Sequence, residues 1–202
     1  MKPKITFPTI AVLVSLATLC LGQTIGKQSA PEAFSKLLQR RPAMSSSRDI
    51  KLIAEDTRAV VREMLLTNGK TKVLSLPVAI ENDSPTAITT SLAHEWYGGL
   101  WPPTDLYVAV RKESERGPVW AEGPGYLVGE KGSADSPTKI EAGKKMPIEI
   151  RLNWPGTGSV TLLSPLIKDS EPGKYTIKLL LIFKAGESTE FVESPEIEIE
   201  VD

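Results

Sequence analysis

The strongest restriction on the fold is the alternation of apolar and polar residues downstream of residue 70. In the clearest run, polar residues separate Ile148, Ile150, Leu152 and Trp154. The same pattern is carried by Leu74, Leu76, Val78 and Ile80, by Ile88, Thr90 and Leu92, by Leu106, Val108 and Val110, and by Ile197, Ile199 and Val201. A period of two is that of a β-strand with one buried face, whereas a helix repeats its apolar positions every three or four residues.

Turn-forming Gly, Pro, Asn and Asp residues separate these runs. Six or more such strands, over about 130 residues, predict an antiparallel β-sandwich that spans residues 70–202. Within the first run, Pro77 predicts an edge strand or a bulge, because proline has no N–H to donate to a neighbouring strand. Asn82-Asp83-Ser84 matches a glycosylation sequon, but its position after a strand favours a turn.

One strand needs cover on both of its faces, because Tyr175–Lys184 contains five consecutive apolar residues. Residues 48–69 predict the covering element, an amphipathic helix between a possible cap at Ser47 and a stop at Asn68-Gly69. Its apolar positions are Ile50, Ile53, Ala54, Thr57, Val60, Val61, Met64 and Leu65. The alternative is a tight turn at Asn68-Gly69 between two strands, since Asn-Gly is a common hairpin signal.

The chain upstream of this segment predicts a signal peptide and a linker. Lys2 and Lys4 precede the apolar run Ile10–Leu19, and small or compact residues follow, which is typical of a secretory signal peptide over 1–22 with cleavage after Gly22. Residues 23–47 are polar and predict a linker with one short helical turn. That turn would use Pro31, Ala33, Phe34, Leu37 and Leu38.

Two other fates of the first 22 residues are disfavoured. The apolar run has about half of the ~20 residues that a membrane-spanning helix needs, which argues against an uncleaved anchor. Lipidation of Cys20 is disfavoured because the bulky Leu19 precedes it, where a lipoprotein signal has a small residue.

Cleavage would remove two of the 24 Lys and Arg residues and none of the 25 Asp and Glu residues, which leaves a net charge of −3. It would also remove the one cysteine of the chain. An exported chain without cysteine must be stable by core packing alone, which suits the bacterial periplasm or exterior. The near-neutral charge predicts no nucleic-acid partner, and we expect no stable membrane insertion after cleavage.

The sequence Glu171-Pro172-Gly173-Lys174-Tyr175 resembles the acidic-x-Gly-x-Tyr turn of immunoglobulin-like domains, in which a tyrosine near the start of the penultimate strand bonds back across the corner. The single cysteine excludes an antibody-type domain and leaves the fibronectin-like and bacterial variants. The resemblance implies an immunoglobulin-like fold. The full prediction is a mainly β protein, an antiparallel immunoglobulin-like β-sandwich with an N-terminal amphipathic helix packed on one face.

Candidate catalytic groups are scarce. His94 is the one histidine, and Ser91 lies three residues before it, hence on the opposite face of a strand. We expect a strand-end histidine bonded to a loop carbonyl. Glu196, Glu198 and Glu200 line one strand face, where nothing distinguishes an acid from a base. We therefore predict no catalytic residue, no metal site and no cofactor.

Aromatic residues are concentrated in one region, since six of the eight Trp and Tyr residues fall between positions 96 and 126. They are Trp96, Tyr97, Trp101, Tyr107, Trp120 and Tyr126. Most lie in predicted loops, and the loops of a sandwich gather at its ends. One interpretation is packing that closes an open end; the other is a binding face, because Trp and Tyr offer large contact areas at low entropic cost.

The sequence favours an exported, non-catalytic binding or structural module that contacts an envelope protein or a glycan through the aromatic loops of 96–126. Two alternatives stay open. One is an inhibitor or envelope assembly factor that uses a loop over Lys112–Ser136 as a plug. The other is a hydrolase that depends on His94.

Overall fold

The computed structural model describes residues 32–40, 43–66, 69–94, 104–112, 120–128, 137–153, 167 and 172–202. These ranges contain one helix, α1 (Glu32–Gln39), and twelve strands. The strands are β1 (Ser45–Ser46), β2 (Ile50–Ala54), β3 (Val60–Leu66), β4 (Gly69–Asn82), β5 (Ile88–Thr90), β6 (Leu106–Lys112), β7 (Trp120–Pro124), β8 (Thr138–Ile140), β9 (Lys144–Arg151), β10 (Gly173–Ala185), β11 (Ser188–Glu193) and β12 (Ile197–Val201). The described chain is therefore mainly β.

Two long strands organise the molecule into two sheets. β10, of 13 residues, is central to an eight-stranded sheet, with β6 and β5 along one side and β12 and β11 along the other. β7 pairs with β6, β8 with β5, and β1 with β11. β4, of 14 residues, is central to a four-stranded sheet, with β9 on one side and β2 followed by β3 on the other. Each central strand is longer than its neighbours. Two shorter strands therefore pair one after the other along one side of β4 and along both sides of β10.

The two sheets face each other across one hydrophobic core. The inward side chains of the central strands are Leu74, Leu76, Val78 and Ile80 on β4, and Tyr175, Ile177, Leu179, Leu181 and Phe183 on β10. All nine are buried. They occupy alternate positions, as the pleat of a strand requires. The prediction of a two-layer β structure from the period of two is confirmed.

The helix predicted over residues 48–69 is wrong. β2 and β3 occupy this segment, and both pair antiparallel with β4. Leu66 lies opposite Gly69, which confirms the hairpin alternative, although residues 67–68 lie outside the described ranges. The residues between β2 and β3 are irregular, so the apolar positions of the two strands do not follow one continuous period of two. Taken together, these positions recur every three or four residues, as they would in a helix. The sheet structure begins at Ser45, upstream of the predicted boundary at residue 70.

The outward face of β10 is covered by α1 instead of by residues 48–69. Phe34 of α1 is 1% exposed and forms a small apolar cluster with Ala109 of β6 and Leu180 of β10. The small Ala109 side chain leaves room for the phenyl ring beside the larger Leu180. The cover that the apolar strand requires is thus supplied by a short helix within residues 23–47.

Pro77 lies in a central strand, so the prediction of an edge strand is wrong. Its carbonyl accepts a hydrogen bond from the Glu55 N–H (3.0 Å), which places its backbone polar groups on the side that β2 and β3 share. β2 ends at Ala54 and β3 begins at Val60, so the missing N–H of Pro77 falls at the gap between them. The proline therefore removes no hydrogen bond from either ladder.

The turn predicted at Asn82-Asp83-Ser84 is confirmed. Asn82 is fully buried, and its Nδ2 donates to the carbonyls of Thr86 (2.9 Å) and Ile140 (3.0 Å). Its Oδ1 accepts a hydrogen bond from the Ser84 hydroxyl (2.6 Å). These bonds hold the turn between β4 and β5 against the end of β8.

Two details differ from the predicted immunoglobulin-like arrangement. The eight-stranded sheet is mixed, because β1 runs parallel to β11. β1 follows α1, so no tight hairpin turn obliges it to run antiparallel to its neighbour. Tyr175 is the third residue of β10 and is buried, but two strands follow β10 where the resemblance implies one.

The predicted signal peptide over 1–22 lies outside the described residues. None of the helical structure within the described ranges has the length and the apolar character that a membrane crossing requires.

β2 has a free edge. The Asp83 N–H donates to the Asp49 carbonyl (2.8 Å), and the Glu55 N–H donates to the Pro77 carbonyl. The odd-numbered residues of this segment therefore direct their backbone N–H and C=O groups toward β4. Ile50, Leu52 and Ala54 therefore direct their N–H and C=O groups away from β4. In the part of the chain that the structure describes, no other strand pairs with this edge.

This orientation predicts opposite effects for two adjacent proline substitutions. Ala54→Pro removes a donor that faces the free edge, and the free energy of unfolding should stay within about 1 kcal/mol of the wild-type value. Ile53→Pro removes a donor that faces Ala79 of β4, and should lower it by about 2 kcal/mol or more. Urea unfolding followed by circular dichroism measures both, and equal effects would contradict the assigned edge.

The position of Phe34 predicts that α1 contributes to stability. Phe34→Ala should lower the free energy of unfolding by about 3 kcal/mol, because it empties the site over Ala109 and Leu180. Gln39→Ala, an exposed change on the same helix, is the matched control and should have little effect. If both variants unfold like the wild type, the packing of α1 on this sheet is wrong.

Candidate functional site

The structure describes three of the six aromatic residues that the sequence predicts as a binding face. Trp96, Tyr97 and Trp101 lie outside the described residues. The other three are Tyr107 in β6, Trp120 in β7 and Tyr126, two residues after β7.

Tyr107 and Trp120 lie on the outward face of the eight-stranded sheet. Tyr107 is opposite Pro124, and Arg111 is opposite Trp120, in the β6–β7 ladder. Both aromatic residues are partly buried and pack in the same small cluster as Phe34 of α1. The structure therefore brings together two predicted residues that are 13 positions apart in the sequence.

Tyr126 has a different environment. It is 8% exposed, and its carbonyl accepts a hydrogen bond from the Arg151 N–H of β9 (2.8 Å). Burial raises the pKa of its phenol, and the nearby Tyr107 raises it further. The next residue, Leu127, bridges to Ile150 of β9, so this segment links the two sheets.

A groove of about 300 Å³ separates α1 from β6 and β7; we call it the helix groove. Its apolar lining comes from Phe34 and Leu37 of α1 and from Tyr107 and Pro124 of the sheet. Its charged lining residues are Lys36, Arg40 and Glu122. The groove thus combines flat apolar surface with charges of both signs.

Arg111 holds the Trp120 ring in place. The guanidinium carbon lies 4.9 Å from the centre of the indole ring, which is the geometry of a cation–π contact. Nη2 of Arg111 also donates to the Thr176 hydroxyl (3.3 Å) and lies 3.5 Å from a carboxylate oxygen of Glu196. The Trp120 Nε1 is buried and has no hydrogen-bond acceptor among the described residues.

His94 does not form a catalytic pair with a described residue. It is half-buried beside Leu127, and its Nδ1 has no hydrogen-bond partner in the described ranges, so the predicted bond to a loop carbonyl is absent at this atom. Burial lowers the pKa of its imidazole below the ordinary value of 6.5. Ser91 bonds to Asp105 through its backbone, and no described hydrogen bond joins it to His94.

The acidic residues in β12 and directly before it have the arrangement predicted from the sequence. Glu196, Glu198 and Glu200 are exposed and alternate with buried residues. Within the described part of the chain, no three His, Cys, Asp or Glu side chains are grouped closely enough to hold a metal ion.

Sequence reasoning missed the contribution of α1 to a groove. Phe34 and Leu37 belong to the short helical turn that the sequence predicts within residues 23–47, and the structure shows this turn as α1. Which sheet face that helix covers was not readable from the spacing.

Comparison of the chain with protein-family models, with curated proteins and with solved structures gave no match.

The environment of His94 predicts how stability depends on pH. Because burial disfavours the charged imidazole, the unfolded chain binds a proton at a higher pH than the folded chain does. The free energy of unfolding should therefore fall as the pH decreases through the ordinary histidine pKa. Since the chain has one histidine, His94→Gln should reduce this fall between about pH 7 and about pH 5. Urea unfolding at a series of pH values tests this, and identical profiles for the two proteins would contradict it.

Proposed function

We propose that this chain is an exported, non-catalytic binding module that contacts a protein or a glycan of the cell envelope. Its contact surface is the helix groove, together with five of the six aromatic residues that the sequence predicts as a binding face, Trp96, Tyr97, Trp101, Tyr107 and Trp120. The observation that carries the proposal is the helix groove itself, in which Tyr107 and Pro124 face Phe34 and Leu37 across about 300 Å³.

The chemistry of the helix groove suits a peptide or a sugar ring. The apolar surface of Tyr107 and Pro124 offers a flat contact for a proline ring, an aliphatic side chain or the apolar face of a sugar. Arg40 and Glu122 at the same site supply a hydrogen-bond donor and an acceptor that orient such a ligand. Aromatic anchors of this kind carry much of the energy in protein interfaces.

A non-catalytic role is supported by the surroundings of His94. A base needs a nucleophile or a bound substrate proton within hydrogen-bond reach, and no hydrogen bond within the described ranges joins the Ser91 hydroxyl to His94. Export is supported by the signal-like residues 1–22, which direct the chain to the bacterial periplasm or exterior. An immunoglobulin-like relationship of the sandwich is also proposed, and its support is the motif that ends in Tyr175.

Binding is tested with a soluble oligosaccharide panel and a panel of proline-containing and aliphatic peptides. The protein should bind at least one member, and Tyr107→Ala should weaken that binding by about tenfold or more, equivalent to about 1.4 kcal/mol. Tyr107→Phe keeps the ring and separates its contribution from that of the hydroxyl.

Val61→Ala is the matched control, because Val61 is an exposed apolar residue, 55% accessible, on the other sheet. It should leave binding unchanged. Circular dichroism and thermal unfolding verify that each variant is folded. A folded Tyr107→Ala protein with wild-type affinity, or a wild-type protein that binds no panel member, would contradict the proposal.

A further inference from the structure

The free edge of β2 lies along one side of the sandwich, at a groove of about 750 Å³ between the two sheets. β2 forms one wall of this groove, and the β11–β12 side of the eight-stranded sheet forms the other. It is a different surface from the helix groove, and the two share no lining residue.

Backbone crossings between the sheets mark the two ends of this edge. At one end the Ser47 N–H donates to the Phe191 carbonyl (2.8 Å), where the chain passes from β1 to β2. At the other end the Glu200 N–H donates to the Thr57 carbonyl (3.3 Å), and the Ala59 N–H donates to the Glu200 carbonyl (3.3 Å), where the chain passes from β2 to β3. Between these crossings β2 offers five residues, which is enough to pair with another strand.

The edge has the backbone groups that strand pairing requires. Ile50, Leu52 and Ala54 direct their N–H and C=O groups away from β4, and no backbone hydrogen bond to these groups exists within the described ranges. The side chains of the same three residues point into the core, so no charged side chain faces inward from β2. Such an edge is a template for an added strand.

Three outward side chains of this segment decide which strand fits the edge. Because successive side chains of a strand alternate, Lys51, Ile53 and Glu55 share the face of the sheet that is turned away from the core. All three are exposed, and Ile53 is one of two exposed large apolar side chains in the described part of the chain. The segment thus carries an apolar residue midway between a basic and an acidic one.

This arrangement is complementary to itself. When two copies of β2 pair antiparallel about a twofold axis at Ile53, each Lys51 lies opposite Glu55 of the other copy, and the two Ile53 side chains lie opposite each other. Leu52 of each copy then exchanges backbone hydrogen bonds with Ala54 of the other. The outward residues form the non-hydrogen-bonded pairs, whose side chains approach most closely.

The neighbouring registers lose this match. A twofold axis at Leu52 places Lys51 opposite Ile53, and an axis at Ala54 places Ile53 opposite Glu55. An axis at Lys51 places two ammonium groups opposite each other, which is unfavourable. Axes nearer either end of β2 would pair it with the crossing residues. The outward side chains therefore select one register.

The ion pairs of the single chain are compatible with this register. Nζ of Lys51 lies 2.6 Å from the Asp83 carboxylate, and Nζ of Lys145 lies 3.2 Å from the Glu55 carboxylate. An ammonium group has three donors and a carboxylate accepts several hydrogen bonds, so Lys51 and Glu55 of the other copy can bond without giving up these partners. A lysine on an edge strand normally discourages pairing, but here an acidic residue lies opposite it.

From this complementarity we propose that the free edge of β2 pairs with the same edge of a second copy of this chain, antiparallel and centred on Ile53. The two four-stranded sheets then join into one continuous sheet. A pair of short strands buries less surface than a standard protein interface, so we expect a reversible dimer with a dissociation constant between about 10 µM and about 1 mM. The proposal does not rest on the function of the helix groove.

The first test measures association directly. In sedimentation equilibrium between about 5 µM and about 2 mM, the mass should rise from that of one chain toward that of two. Over the same range, amide hydrogen exchange followed by NMR should slow at Leu52 and Ala54. Ala54→Pro should stay monomeric throughout, because it removes a donor that each copy contributes to the other. Circular dichroism verifies that this variant is folded.

Two charge variants test the register and do not depend on the proline variant. Lys51→Glu and Glu55→Lys each place like charges opposite each other, so each protein alone should dimerise about tenfold more weakly than the wild type, or less. An equimolar mixture should associate about as strongly as the wild type, because the mixed dimer has an acidic residue opposite each basic one. Lys139→Glu makes the same charge change at an exposed position of β8 and should dimerise like the wild type.

Several results would overturn the proposal. These are the mass of one chain at every concentration, a dimer that folded Ala54→Pro forms as strongly as the wild type, and a dimer without slower exchange at Leu52 and Ala54. A mixture of the two charge variants that associates no better than either alone would also overturn it. Because Tyr107 lies at the helix groove, Tyr107→Ala should dimerise like the wild type, so this proposal and the proposed function fail separately.

Discussion

The packing of β4 against β10 is the contact on which the rest of the structure depends. These are the two longest strands, and their inward side chains form the middle of a single core. The chain has one cysteine, so no intrachain disulfide supports the sandwich, and burial of apolar surface must supply its stability. Every other strand of the described chain is attached, directly or through one neighbour, to one of these two.

The length of the central strands also creates the surfaces that are available for binding. Shorter strands succeed one another along a long strand, and the chain must cross between the sheets where one ends and the next begins. Between the crossings near Ser47 and Thr57, the edge of β2 has no partner strand among the described residues, although Ile50 and Leu52 are themselves buried. An exposed edge of this kind carries a risk of unwanted pairing with another extended segment.

In contrast to the edge of β2, the outward apolar face of β10 is covered, because α1 packs on it. Ala109 and Leu180 would otherwise present apolar surface to water, and Phe34 removes most of that exposure. The helix is short and rests on few residues, so it leaves a groove beside Tyr107 instead of sealing the sheet. The same requirement for cover thus explains both the position of α1 and the presence of a groove next to the predicted aromatic residues.

The sequence by itself determined the period of two, hence the mainly β class, the two layers and the inward residues of β4, because alternation on a pleated strand depends only on local geometry. It also marked the turn at Asn82 and the clustering of aromatic residues. Only the tertiary structure decided that residues 48–69 contain two strands that both pair with β4, that Pro77 lies in a central strand without loss of a ladder hydrogen bond, and that Tyr107 and Trp120 lie beside α1. These outcomes depend on which strands are neighbours, and neighbours distant in sequence are chosen by how the whole core packs.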